Sequence, residues 1–162
     1  MAYSQTLESP WVTGRYQMPS PMGSEVVNVN CALAMTADEV DSLVAGDIIH
    51  MANLPEDCTL VDLVAADTVL DTNVTETMDL DLGIINGDGD DFVTTTGELQ
   101  NSILVAGTTH AARVTPTVEI LTTTSGAASP TKLGYKVAAA AATAAAGTLY
   151  LSVSYRAKTP SE

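Results

Sequence analysis

Apolar and polar residues alternate in two segments near opposite ends of the chain, at residues 27–35 and 148–156. A period of two is typical of a β-strand that buries one face, because successive side chains of a strand point to opposite sides. Asn28 and Asn30 lie opposite the apolar face of the first segment, and Tyr150 lies opposite that of the second. The apolar positions are Val27, Val29, Cys31, Leu33 and Met35, then Leu149, Leu151, Val153 and Tyr155. Both segments therefore predict strands with one buried face.

Further strands are predicted between clusters of Gly, Pro, Asp and Asn. Residues 48–51 follow a Gly-Asp pair, and residues 58–67 are an apolar run short enough for a strand buried on both faces. In residues 77–85 four apolar side chains alternate with Asp79 and Asp81, which predicts a strand with a solvated acidic face. Residues 112–121 also predict a strand, which Pro116 restricts to an edge or a bulge.

Three segments carry a helical signal. Residues 36–39 read Thr-Ala-Asp-Glu, which has the form of a capping box and predicts one or two helical turns over 37–43. Residues 98–105 are compatible with a short helix. The alanine run 138–146 has high helix propensity, but we interpret 135–142 as a strand and 143–147 as a turn, with helix as the alternative.

Seven to nine short strands separated by turn residues predict an all-β fold. The spacing is typical of an antiparallel jelly roll or β-sandwich of about eight strands. Residues 25–158 form the sandwich domain in this interpretation. Residues 1–24, with Pro10, Pro19 and Pro21, predict an extended N-terminal arm in which residues 11–16 add a short edge strand. The only tryptophan, Trp11, is expected to anchor this arm to its own domain or to a partner.

The net charge of −14 is unevenly distributed along the 162 residues. Before Arg113 the only basic residue is Arg15, while 18 of the 20 acidic residues lie there, so this part carries −17 and the remainder +3. Such a charge repels nucleic acid and anionic membranes, and we expect neither as a partner. Residues 1–10 have no basic, apolar leader, and no segment has the roughly 20 apolar residues of a good membrane span. These features predict a soluble protein made in a cytoplasm.

The sequence contains few features that would support an enzymatic activity. The two histidines, His50 and His110, have no suitably spaced nucleophile, and no phosphate-binding or nucleophile-elbow motif occurs. A glycosidase pair from Asp79 and Asp81 would need a cleft, usually with aromatic walls, and aromatic residues are 4% of the chain. We therefore expect no enzyme activity and no catalytic residues.

The two cysteines, Cys31 and Cys58, are predicted to be buried strand residues. A single disulfide between them is the alternative in an oxidising environment.

Residues 86–91, Asn-Gly-Asp-Gly-Asp-Asp, place oxygen ligands at relative positions 1, 3 and 5, as a calcium loop does. The sixth position is Asp91 instead of glycine, and the twelfth is Gly97 instead of glutamate. Two interpretations stay open: a plain acidic turn, in which case the protein has no cofactor, or a Ca²⁺ site. The candidate metal ligands are Asn86, Asp88, Asp90 and Asp91.

Several motifs resemble small structural proteins of tailed bacteriophages. They are Gly-Asp-Ile-Ile at 46–49, Leu-Pro at 54–55, Leu-Val-Asp-Leu-Val at 60–64, and Leu-Asp-Leu-Gly-Ile-Ile at 80–85 before an Asn/Gly/Asp turn. The closing stretch 146–156, Ala-Gly-Thr-Leu-Tyr-Leu-Ser-Val-Ser-Tyr-Arg, fits the same pattern. The chain over residues 25–156 resembles capsid decoration, or cement, proteins with jelly-roll folds.

This resemblance implies a virion structural protein, made in the host cytoplasm, that binds and stabilises the outside of a capsid shell. It implies the major capsid protein as partner and a homotrimer as the oligomeric state. Within the arm, Trp11, Arg15 and Tyr16 are the predicted partner-binding residues.

A second hypothesis is a calcium-dependent carbohydrate-binding β-sandwich on a head fibre or cell surface. The loop 86–91 and an exposed Tyr150 motivate it.

Overall fold

The computed structural model describes residues 6–14, 18–21, 25–75, 77–93, 98–105, 109–114 and 131–158. Nine strands and one short helix occur in these residues. In chain order they are β1 Thr6–Glu8, β2 Val26–Met35, α1 Ala37–Asp41, β3 Ile48–Asn53, β4 Cys58–Asp67, β5 Asp79–Ile85, β6 Glu98–Val105, β7 His110–Arg113, β8 Lys132–Ala139 and β9 Gly147–Ala157.

The strands form two sheets, ordered β1-β3-β8-β5-β6 and β2-β9-β4-β7. Strands β2 to β9 pair as nested antiparallel partners: β2 with β9, β3 with β8, β4 with β7 and β5 with β6. This is the pattern of one long two-stranded ribbon rolled up, and the added pairings β4–β9 and β5–β8 close the roll. Eight strands connected in this way form a jelly roll, so the predicted fold class is confirmed. Strand β1 is an addition, paired parallel to β3.

The hydrophobic core lies between the two sheets. Leu63, Leu80 and Leu151 are fully buried, as are the rings of Tyr135 and Tyr155. The Tyr135 hydroxyl donates a hydrogen bond to the Tyr150 carbonyl at 2.7 Å, and the Tyr155 hydroxyl donates one to the Pro19 carbonyl at 2.6 Å. Both buried phenols therefore have a polar partner.

Both cysteines are free and buried, as expected for strand residues. Burial raises the pKa of the Cys31 thiol to about 12, so this group is held in its unreactive protonated form.

Most predicted elements occur where the pattern placed them, and α1 begins with the expected capping box. The Thr36 hydroxyl accepts a hydrogen bond from the Glu39 backbone N–H, while the Glu39 carboxylate accepts one from the Thr36 N–H. The sequence allowed a short helix over residues 98–105 but did not decide their structure. They form β6, because the antiparallel partner β5 supplies hydrogen bonds that local propensity does not anticipate.

The solvated acidic face predicted for residues 77–85 was also wrong in part. Asp81 is only 8% exposed, because β5 lies between β6 and β8, and Asp81 stands directly opposite Lys136. Of the strand predicted over 112–121, only residues 112–114 lie within the described residues, and 112–113 belong to β7.

The alanine run is extended or looped, not helical. Strand β8 ends at Ala139, and the following residues are held by the connection between β4 and β5. The N–H groups of Ala142 and Thr143 donate to the Asp71 carboxylate at 3.1 and 3.0 Å. Two backbone hydrogen bonds, Thr72 N–H to Thr143 carbonyl and Ala145 N–H to Leu70 carbonyl, extend this contact. These long-range bonds outweigh the helix propensity of alanine.

Residues of the predicted arm lie against the sandwich. Strand β1 precedes Ser9, whose hydroxyl donates to the Met51 carbonyl and whose N–H donates to the His50 carbonyl. The edge strand predicted over residues 11–16 was wrong for residues 11–14, which lie in a turn, and residues 15–16 lie outside the described residues. The edge strand of this segment is β1, Thr6–Glu8, which the sequence pattern did not predict. The division of the chain at residue 24 stays a prediction.

Candidate subunit-contact surface

The outer faces of the two sheets differ in what covers them. On the five-stranded sheet, Phe92 packs against Ile48 and Ile85, and all three form a small buried cluster outside the main core. Phe92 also forms a β-bridge with Ile85, and the Val93 N–H donates to the Ile84 carbonyl. The segment 86–93 therefore folds back over this sheet and closes part of its outer face.

Two lysines of β8 anchor this segment. The Lys136 ammonium contacts the Asp91 carboxylate at 2.7 Å, and the Lys132 ammonium donates to the Gly87 carbonyl at 2.9 Å. The side-chain hydrogen bond from Lys136 and the N–H of Phe92 lower the pKa of Asp91, so this carboxyl is ionised at neutral pH. One of the four candidate calcium ligands is thus already bound by a cation of the same chain.

Two more of the candidate ligands, Asn86 and Asp90, have partners within the loop. The Asn86 side-chain oxygen accepts N–H bonds from Gly89 at 2.7 Å and Asp90 at 3.3 Å, and the Asn86 amide donates to the Asp90 carboxylate at 2.8 Å. Gly89 has a φ of 82°, which favours glycine in this tight turn. Across the described residues, no group of three or more His, Cys, Asp or Glu side chains is placed to hold a metal ion. The arrangement is that of an acidic turn held by hydrogen bonds and lysines, and the calcium interpretation stays a hypothesis.

The outer face of the four-stranded sheet β2-β9-β4-β7 has a different character. Tyr150, on β9, is 39% exposed. Its cross-strand neighbours are Ala32 on β2 and Ala66 on β4, and Ala111 on β7 continues the row. Because these alanine side chains are small, they do not cover the sides of the Tyr150 ring. We call this row and the one beside it, Asn30, Ser152, Val64 and Arg113, the Tyr150 face.

The Tyr150 face is much less acidic than the chain as a whole. Its flank carries Arg113, whose Nε lies 3.0 Å from both oxygens of Asp62. Both side chains are partly exposed, so this ion pair contributes little to stability. Neutral hydrogen bonds occupy the neighbouring positions, where Asn28 donates to Ser154 and accepts from Ser152. A tyrosine and an arginine on a weakly charged surface are typical of protein–protein contacts.

A hydrogen bond from the other sheet fixes the backbone at Tyr150. The Tyr135 hydroxyl of the opposite sheet donates to the Tyr150 carbonyl at 2.7 Å. Burial raises the pKa of Tyr135 well above its ordinary value, so this hydroxyl keeps its proton and stays a donor. Leu149 and Leu151, on either side of Tyr150, are fully buried. The exposed ring therefore stands on rigid backbone, which lowers the entropic cost of ordering a contact surface.

A buried acid lies at the end of β4. Asp67 is 1% exposed; its carboxylate accepts the His110 N–H at 3.1 Å and lies 3.8 Å from His110 Nδ1. Burial raises the pKa of Asp67 to about 6, against these contacts.

The other histidine, on β3, is a packed residue. His50 is buried, its Nε2 lies 3.0 Å from the Asn53 side-chain oxygen, and burial lowers its pKa.

Of the three predicted partner-binding residues, the structure describes only Trp11. Trp11 is partly buried and packs against the main core, so at least part of its ring binds its own domain. Arg15 and Tyr16 lie outside the described residues. The exposure of Tyr150 is as expected from the alternation of β9, whereas the alanine row around it follows only from the pairing of four strands.

Comparison with known proteins supports the fold assignment. No protein-family model matches the chain, and no curated protein does. Among solved structures, a chain in the capsid of Ralstonia phage GP4 has a TM-score of 0.75 and 24% sequence identity, over 96% of this chain and 99% of that one. A chain in the capsid asymmetric unit of cyanophage Pam1 has a TM-score of 0.60 and 24% identity, over 88% and 94%. The jelly roll of this chain is thus a fold that occurs in phage capsids, as the resemblance of its motifs predicted.

The helical content of the described residues is limited to α1. No helix there is long and apolar enough to cross a membrane.

Proposed function

We propose that this chain is a virion structural protein without enzymatic activity, and that it binds the outside of a phage capsid shell as a decoration, or cement, protein. The observation that carries the proposal is the likeness in fold to a chain of the Ralstonia phage GP4 capsid, since it spans nearly the whole of both chains. The proposed partner is the major capsid protein.

The charge of the chain supports an outer position. A protein that lines the inner wall of a DNA-filled head faces a dense array of phosphates, which a net charge of −14 opposes. The outside of the shell imposes no such penalty. The same charge keeps free copies soluble before they attach.

The Tyr150 face is the proposed contact surface. It combines an exposed aromatic ring, a rigid backbone and little charge, while the described part of the opposite outer face is partly closed by residues 86–93. We also propose a homotrimer, in keeping with the cement proteins that the sequence resembles. Many copies on one shell would then bind firmly even where each contact is weak. The contacts assigned from the sequence to Trp11, Arg15 and Tyr16 stay predictions.

The test is re-addition of the purified protein to heads assembled without it. We expect saturable co-sedimentation, and added density on the outer surface in cryo-electron microscopy. Replacing the ring in Tyr150→Ala should weaken attachment about 10- to 100-fold, the range expected for an interface aromatic. Val74→Ala is the matched control, because Val74 is fully exposed on the loop between β4 and β5. Failure of the wild-type protein to sediment with such heads would contradict the decoration role.

The carbohydrate-binding hypothesis makes a different prediction for the same protein. Binding to a glycan array that disappears on addition of a chelator would favour it over shell attachment. Light scattering on the free protein tests the trimer separately.

A further inference from the structure

The Asp67 carboxylate is buried beside the first residue of β7, and its two oxygens differ in their contacts. Asp67 stands directly opposite His110 in the β4–β7 pairing, and its side chain is 0% exposed. Oδ1 accepts the His110 N–H at 3.1 Å and lies 3.8 Å from His110 Nδ1. Oδ2 is buried and accepts no hydrogen bond from another of the residues that the structure describes. A buried acid with one oxygen in this position is costly to ionise.

The groups that face Asp67 from the neighbouring strands offer little charge to balance it. Burial, and then the charge of Asp67, raise the pKa of Tyr135 on β8 well above its ordinary value, so this phenol keeps its proton. Burial also raises the pKa of the Cys31 thiol on β2 to about 12. The residue of β9 opposite Asp67 is Leu149. On β7, the titratable neighbour of Asp67 is His110.

The acids of the adjoining segments point elsewhere or have partners of their own. Asp71 accepts backbone N–H groups of two connections. Two acids of β5 alternate with core side chains and so lie on the outer side of their sheet: Asp79 and Asp81. Residues 99–109, which include all but the first residue of β6, contain no titratable side chain. Two further acids lie outside the described residues: Glu76 and Glu119.

Strand β7 is a short edge strand. It has four residues, and within the described part of the chain it pairs only with β4. Directly after its carboxyl end, Val114 is buried and its N–H donates to the Leu63 carbonyl at 3.0 Å. At its amino end, the His110 N–H is bound by the Asp67 carboxylate, while the His110 side chain is 39% exposed. Short edge segments of this kind open locally at a lower free energy than core strands.

We propose that Asp67 is a pH-sensitive switch for β7: the strand is held most firmly while Asp67 carries a proton, and its amino end opens locally more often once the buried carboxyl ionises. Ala111 and Arg113 of the Tyr150 face belong to β7, so the switch also sets how well this flank of the face is ordered. Any effect on attachment rests on the proposed function of that face.

The direction of the switch follows from the form that binds the proton more tightly. In the closed strand, burial raises the pKa of Asp67 to about 6. In the open strand the carboxyl is in water, where its ordinary value is 3.8. The closed form therefore binds the proton more tightly, and opening becomes more favourable as the pH rises from about 4 to about 6 and then levels off.

Hydrogen–deuterium exchange of the free, full chain tests the switch, with rates corrected for the intrinsic pH dependence of amide exchange. We expect the protection of the amides of residues 110–113 to fall about tenfold between about pH 5 and about pH 7. These amides should be less protected than those of β2 and β9, and low concentrations of denaturant should not change their exchange. Such insensitivity identifies local opening, because unfolding of the whole domain exposes far more surface.

Two variants assign the effect to one carboxyl. Asp67→Asn keeps an oxygen that can accept the His110 N–H but cannot ionise, so the protection of β7 should be the same at both pH values. Asp62→Asn is the matched control, because Asp62 also lies on β4 and contacts Arg113 of β7, but its side chain is 23% exposed. This control should keep the roughly tenfold change of the wild type.

Three results would overturn the proposal. In the first, the amides of β7 exchange only together with those of β2 and β9, so that Asp67 affects the stability of the whole domain alone. In the second, the pH dependence persists in Asp67→Asn and belongs to another group. In the third, both variants lose it. Exchange is measured without phage heads, so its failure leaves the decoration role intact, and failure to sediment with heads leaves the switch intact.

Discussion

The Asp71 carboxylate accepts a hydrogen bond from the Thr143 N–H at 3.0 Å, across 72 positions of sequence. The same carboxylate accepts N–H bonds from Asn73, Thr77 and Ala142. It thus joins the β4–β5 connection to the β8–β9 connection at one end of the sandwich. Burial opposes the charge, but these backbone donors together lower the pKa of Asp71 well below its ordinary value.

Replacing this acceptor should destabilise the fold strongly. In Asp71→Asn the amide group faces N–H donors and leaves some of them unsatisfied, so we expect a loss of about 2–4 kcal/mol in the free energy of unfolding. Chemical denaturation at pH 7 measures it. Because the pKa of Asp71 is lowered, the wild-type advantage should shrink as the pH falls below the ordinary value of 3.8. Asp88→Asn, in an exposed loop, is the control, and an equal effect in both variants would contradict the role of Asp71.

The buried Asp67 should change the stability of the fold with pH in the opposite sense to Asp71. Its pKa is raised from 3.8 to about 6, so the folded state takes up a proton more readily than the unfolded state. The contribution of Asp67 to stability should therefore fall as the pH rises from about 4 to about 6 and then level off. The stability of Asp67→Asn relative to wild type should increase over that window, by up to about 3 kcal/mol.

Thermal melts of both proteins at intervals between pH 4 and 7 check the Asp67 prediction. In the Asp67→Asn variant the side-chain amide oxygen can still accept the His110 N–H, which limits the change to the ionisation itself. A stability difference that stays constant over this range would show that the buried carboxyl titrates outside it.

A close backbone contact makes Gly134 on β8 irreplaceable. A Cβ atom there would lie 2.2 Å from the Ile49 carbonyl oxygen and 2.8 Å from the Ile85 side chain. We expect Gly134→Ala to cost about 2–4 kcal/mol of stability, since backbone would have to shift. Gly87→Ala is the matched control, because its Cβ would meet nothing within 4 Å. Similar melting temperatures for the two variants would contradict the close packing of β3 on β8.

The loop 86–91 should be stable without calcium. Lys136 already contacts Asp91, and Asn86 holds the turn through its own hydrogen bonds. We therefore expect millimolar Ca²⁺ or a chelator to leave the melting temperature unchanged, whereas Lys136→Met should lower it by a few degrees as one ion pair is lost. A calcium-dependent rise in melting temperature that disappears in Asp88→Asn/Asp90→Asn would instead establish the metal site. Asp38→Asn, in the exposed helix α1, controls for general loss of charge.

Several parts of this fold follow from local sequence. The alternation in β2 and β9 is visible because each strand buries one face, and the capping box at Thr36 marks α1 because its partners lie three residues apart. The exposed position of Tyr150 follows from the same alternation. The acidic balance, which disfavours nucleic acid as a partner, is likewise a property of composition.

Other parts were decided by tertiary structure, because their partners are far away in sequence. Local sequence left both a strand with a turn and a helix open for the alanine run, and the hydrogen bonds of its backbone to Asp71 and Leu70 hold it in an extended or looped course. Residues 98–105 were compatible with a short helix, but their pairing with β5 makes them a strand. Asp81 was expected on a solvated face, but the two neighbouring strands of β5 bury it. The acidic loop that resembled a calcium site is held by lysines about 45 residues later in the chain. Composition and alternation alone thus determined an acidic sandwich of strands, whereas long-range hydrogen bonds and strand pairing decided the course of the alanine run and which face Tyr150 shares with alanines.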